Sequence, residues 1–150
     1  PPDRSGSSST TAALLPGENA DFVDAYAQME ADLLDADGDL CTLSRLITGT
    51  DGAPDPSSPN EARISVQFSV DLLGAVAAAL PDDDSADADA IRTAAGRVRS
   101  QADAHDFDPA YLRSKAFTAM DAPAFNRAMT SFSQLAAAQC GPDATTDASN

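Results

Sequence analysis

Cys41 and Cys140 are the two residues of this chain whose pairing would be chemistry in itself. They are its only cysteines, one in the first half and one near the end of the last apolar segment. Two thiols with a single histidine, His105, are too few for a zinc site, and no C-x-x-C redox pair occurs. A structural disulfide in an exported protein is the reading that uses both; two buried free thiols in a cytosolic bundle is the alternative. Closing a loop of about 100 residues stabilises a fold by up to ~4.7 kcal/mol on the chain-entropy account.

The stretch LLDADGDLCTLSRLITG, residues 33–49, places Asp35, Asp37 and Asp39 in alternation just before Cys41. Alternating acids suggest a calcium loop. That loop needs a glycine at its sixth position and a bidentate glutamate at its twelfth. Counted from Asp35, those positions hold Leu40 and Leu46. The spacing instead predicts a helix stopped at Gly38 and a second one capped by Asp39.

His105 falls on an apolar helical stripe in a chain that also carries Met29, Met120 and Met129. A His/Met haem site can be drawn from those types; a hydrogen-bonded residue near a helix end is the plainer reading. Arg92, Arg97, Arg99, Arg113, Lys115 and Arg127 carry most of the positive charge. Of these, Arg92, Arg99, Arg113 and Arg127 are candidates for an anion site between helices, against the alternative of surface pairing with aspartates. No nucleophile–base pair, metal set or phosphate loop can be assembled, so no catalytic residue, metal ligand or cofactor is assigned.

The elements that must hold these residues are helical throughout. Phe22, Tyr26, Met29 and Leu33 form one stripe, predicting a first helix from about Glu18 to Leu34. A short helix from Leu40 to Ile47 carries Cys41 inward, and Gly49 ends it. TGTDGAPDPSSPN is a loop. Asn60 is expected to cap a long helix, apolar on nearly all sides and hence central, which Pro81 ends. The acids of DDDSADAD suit the start of the next helix, whose stripe is Ile91, Ala95, Val98, Ala102 and His105. FDPAYLRSKAFTAM is predicted as a further helix, capped by Asp108 with Pro109 in its first turn. The last helix repeats the device with Asp121 and Pro123, carries Phe125, Met129, Phe132 and Ala136, and stops at Gly141–Pro142. No alternating pattern is present. The fold expected is an all-α, four-helix-type bundle with short linking helices, stapled by one disulfide. Three segments follow: a Ser/Thr/Pro-rich tether at 1–17, the bundle at 18–141 and a polar tail at 142–150.

The formal charge is −15, from 24 acids against nine bases, and Lys115 is the lone lysine. Such a surface repels nucleic acid and anionic headgroups. No run of about 18 apolar residues is present to span a membrane. The opening PPDRSGSSSTTAALLPG reads as what is left once a signal peptide is removed, or as the tether behind a lipid-bearing cysteine.

Two resemblances add to this. SQADAHDFDPAYLRSKAF is similar to the helix-linking segment of secreted all-α chorismate mutases, which also carry a disulfide. It implies a dicarboxylate held by several arginines and lysines, some of them on the first helix, where this chain has none. The wider layout resembles small exported or lipid-anchored actinobacterial envelope proteins: an early cysteine, Ala-rich helices, LPDD, DPA and a closing FSQLAAAQCG. That resemblance implies an extracytoplasmic place and a disulfide, and no activity. The expected function is therefore a non-enzymatic accessory or interaction subunit of a membrane-associated assembly, with an extracytoplasmic or membrane-associated protein partner. The other expectation is a small-ligand binder, or a chorismate-mutase-like enzyme, using the Arg-rich C-terminal half.

Overall fold

A computed structural model describes residues 19–141. The tether, the polar tail and the first residue expected in helix one, Glu18, lie outside the described residues. Among those described there are six α-helices and no strands: α1 Ala20–Ala36, α2 Leu40–Gly49, α3 Pro59–Ala79, α4 Ser85–Ala104, α5 Pro109–Leu112 and α6 Pro123–Cys140. The all-α expectation holds, with α1, α3, α4 and α6 as the long members.

Their boundaries follow from caps. Asn19 opens α1, its Oδ1 accepting from the Asp21 and Phe22 amides. Asp37 (φ 47°) and Gly38 (φ 77°) turn the chain left-handed at its end, the geometry that glycine enters without a Cβ penalty. Asp39 then caps α2 by accepting from the Thr42 amide at 2.9 Å and its hydroxyl at 2.6 Å.

Three boundaries differ from expectation. Ser58, not Asn60, caps α3, with its Oγ accepting from the Glu61 amide at 3.2 Å. Ala122, not Asp121, is the residue before α6, because Pro123 fixes the first helical position and the cap must directly precede it. The segment from Pro109 to Met120 is helical for only four residues. Its continuation fails at Ser114, whose hydroxyl donates to the Tyr111 carbonyl at 2.7 Å and accepts from the Ala116 amide at 3.2 Å. A side chain that satisfies the backbone locally competes with the next helical turn.

Helix α3 is the hub. It packs against α1, α2 and α4, while α6 lies against α4 and α2. The main core joins Phe22, Tyr26, Leu33, Leu43, Phe68, Leu72, Leu73, Val76, Ile91, Phe125 and Phe132. By length and composition α3 could cross a membrane, although Glu61, Arg63 and Asp71 interrupt its sequence. Its buried face is the centre of this core, as its all-round apolar pattern predicted. A second, smaller core of Val66, Val98, Ala102 and Ala119 sits under the strap formed by residues 105–121. Cys41 and Cys140 are bonded, with Cα atoms 5.7 Å apart, tying α2 to the end of α6. The sulfur pair is only partly buried.

Candidate ligand-binding cavity

The helix periodicity of α1, α3 and α6 brings one face of each to a shared gap. Tyr26 and Met29 come from α1, Phe68, Ser69, Leu72 and Leu73 from α3, and Phe125 and Met129 from α6. Each set is spaced by one, three or four residues, so it shares a helix face. Ile47, Thr50 and Ala53 close one side, and Met120 of the strap closes another. The gap is a cavity of about 300 Å³ that reaches solvent. All three methionines of the chain stand in its wall. Unbranched thioethers adapt their shape to irregular apolar contents. Tyr26 is held edge-on to Phe68 at 5.9 Å and against Phe22 at 4.7 Å. Its hydroxyl donates to Ser65 Oγ at 3.3 Å, with the Pro54 carbonyl at 3.5 Å.

A second cavity of about 190 Å³ adjoins the first, sharing Ser69 and Met120 as common walls. It is lined by Ser65, Val66, Val98, Leu112 and Phe117, with Asp55, Pro56 and Arg113 at its charged end. The Arg113 guanidinium donates to the Pro56 carbonyl at 3.1 Å. The two cavities, an apolar inner chamber and a mixed outer one that share the walls Ser69 and Met120, are together called the cleft.

Two carboxyl groups elsewhere are set apart by their surroundings. Glu61 is buried, and burial alone would push its carboxyl up. The Ser57 amide (2.8 Å), the Ser57 hydroxyl (2.9 Å) and the Asn19 amide (2.6 Å) all donate to it and hold it below the usual glutamate value. Glu30 of α1 faces Asp71 of α3. Partial burial, a hydrogen bond to Asp71 and repulsion from that carboxylate push Glu30 up to about 7. Asp71 also accepts from Gln67 at 2.8 Å, and Gln67 from Arg99 at 2.9 Å. Neither Glu30 nor Asp71 lines the cleft.

The other candidates are dispersed. Asp35, Asp37 and Asp39 are exposed; Asp39 serves as a cap, and its bonds from the Thr42 hydroxyl and amide lower its pKa. Among the described residues no three His, Cys, Asp or Glu side chains are grouped to hold a metal ion. His105 is not on the buried stripe. It is the exposed C-cap residue of α4, stacked on Tyr111 at 3.6 Å, because the left-handed residues Asp106 and Phe107 end the helix there. The methionines that reach the cleft are thus not joined by the histidine. Arg92 is exposed and pairs with Asp89 at 3.8 Å, Arg99 reaches Gln67, and Arg127 is exposed on α6. Of the four arginines proposed as an anion site, Arg113 alone lines the cleft.

No family model, curated protein or solved structure matches the chain.

The sequence reading missed Glu61 and the cleft. For Glu61 the signal was present: Ser58-Pro-Asn-Glu61 is a capping-box spacing directly before an apolar run. For the cleft no local signal exists, since its wall is assembled from six separate segments.

Proposed function

We propose that this protein is a non-enzymatic binding protein of an oxidising, extracytoplasmic compartment, and that it takes an apolar small molecule into the cleft between α1, α3 and α6. The observation that carries this reading is the apolar chamber itself. A cavity of about 300 Å³, lined by aliphatic, aromatic and thioether groups with a few hydroxyls, is at the small end of the range for ligand sites. Among the described residues its wall holds no acid, base or cation, which favours binding over catalysis. The disulfide supports the compartment.

The accessory-subunit reading draws on the acidic surface, which suits a basic protein face. Among the described residues, however, the large apolar side chains left exposed are Leu34 and Met120, which do not make a docking patch. The cleft is therefore the better-supported site. In an accessory role it would present its ligand to a membrane-associated partner.

The test is native mass spectrometry of protein purified from its own host without detergent. A single bound organic molecule per chain, lost in a Ser69→Phe variant that adds bulk at the wall the two chambers share, is the expected result. An empty wild-type chain that also fails to bind any alkyl probe in saturable one-to-one fashion would overturn the reading.

A further inference from the structure

The two chambers differ in what they can hold, and that difference constrains the ligand. The inner one offers Met29, Leu72, Phe125 and Met129 and suits hydrocarbon. The outer one ends at Arg113. Between them stand Ser69 and Met120, shared by both, and the Tyr26–Ser65 hydroxyl pair. Met120 is 39% exposed, so this wall is a flexible side chain at the surface rather than packed core. A ligand that fills the inner chamber and continues past Ser69 and Met120 into the outer one would have its other end beside Arg113.

Resting on the apolar-ligand reading above, we infer that the cleft binds a single-chain amphiphile, its alkyl chain in the inner chamber and a carboxylate head at Arg113. The exposed Arg113 guanidinium has five N–H groups, of which one contact, to the Pro56 carbonyl, is made among the described residues. That contact holds the planar group in place while leaving donors for a carboxylate, the partner its fork geometry matches. Lys115, exposed in the same turn, adds to the local positive potential. Asp55, which lines the same outer chamber, selects a single negative charge over the double charge of a phosphate monoester, because it penalises a dianion more than a monoanion. Remote aspartates matter less, because at physiological salt charges beyond about 8 Å are largely screened.

The experiment titrates the full, disulfide-intact chain calorimetrically with three twelve-carbon probes below their micelle concentrations: dodecanoate, dodecanol and dodecyltrimethylammonium. Dodecanoate is expected to bind one-to-one and about threefold tighter than dodecanol, the scale of an ion pair at an exposed arginine, with the cationic probe weakest. Arg113→Gln should erase the dodecanoate preference and leave dodecanol affinity unchanged. Asp55→Asn, which leaves the Arg113–Pro56 contact intact, should strengthen dodecanoate several-fold and so keeps the test decisive if the arginine variant misfolds. Equal affinity for dodecanoate and dodecanol, or tighter binding of the cation, would overturn the head-group assignment while leaving the apolar-ligand reading standing. Failure of all three probes to bind would overturn both.

Discussion

Glu30 and Glu61 both lie where α1 meets α3, yet they titrate in opposite directions. Burial raises the pKa of each. The difference is in the partners. Glu61 meets three donors from Ser57 and Asn19; Glu30 meets another carboxyl group. One carboxylate fastens the start of α1 to the start of α3, and the other sets two negative charges against each other further along the same seam. Donor count, more than depth, decides which state of a buried acid the fold prefers.

The strongest way to break this contrast is Glu61→Ala. It strands the Ser57 and Asn19 amides in a buried site, so unfolding free energy should fall by about 3 kcal/mol. Chemical denaturation followed by circular dichroism at pH 7 measures this; a loss below about 1 kcal/mol would show that the knot contributes little.

Glu61→Gln sharpens the contrast, since the amide keeps one acceptor and loses the charge. A cost of about 1–2 kcal/mol at pH 7 is expected. Because the folded pKa of Glu61 lies below its ordinary value of 4.5, its stabilisation is present above that pH and is lost as pH falls through the folded value. The glutamine variant should therefore lose less stability than wild type on acidification below pH 4.5.

Glu30→Gln should have the smallest effect and the opposite sign. The folded pKa is raised from 4.5 to about 7, so the favourable contribution exists at low pH and disappears as pH rises across that window. An amide imitates the protonated acid at every pH. At pH 8 the variant should be more stable by at most about 1 kcal/mol, because solvent screens a half-buried pair. The pH dependence of wild-type melting between 5 and 8 should flatten with it. An unchanged profile would show that Glu30 ionises freely beside Asp71.

The long helices were readable because their apolar residues recur at helical spacing and end on strong punctuation. Phe22, Tyr26 and Leu33 are buried as one stripe, Asp39 and Asp108 cap as their positions suggested, and Gly141 (φ 79°) ends α6. The disulfide was readable from cysteine number and the inward placement of both helices. The strap at 105–121 was not. Its course is fixed by contacts to distant backbone and side chains: Arg97 Nε donates to the Ala119 carbonyl at 3.0 Å, the Thr118 amide to Gln101 at 3.1 Å, and Arg63 stacks over Phe107 at 4.7 Å. Such contacts leave no period in the sequence, and a sequence rich in helix formers conceals them. The cleft was hidden for a related reason. Met120 reaches its wall from a strap that is helical for only the single turn Pro109–Leu112.

The Cys41–Cys140 bond also decides how the molecule would respond to being pulled. Tension applied to the chain on either side of it passes from one cysteine to the other through the sulfur pair, and everything between them is spared. α3, α4, the strap and all of α6, and with them the greater part of the cleft wall, are inside that bypass. α1 is outside it. It would be the one long helix to bear load, anchored by the Glu61 knot and by Phe22 and Tyr26. Because α1 also supplies Tyr26 and Met29, stretching would open one side of the chamber while the rest of the bundle kept its shape.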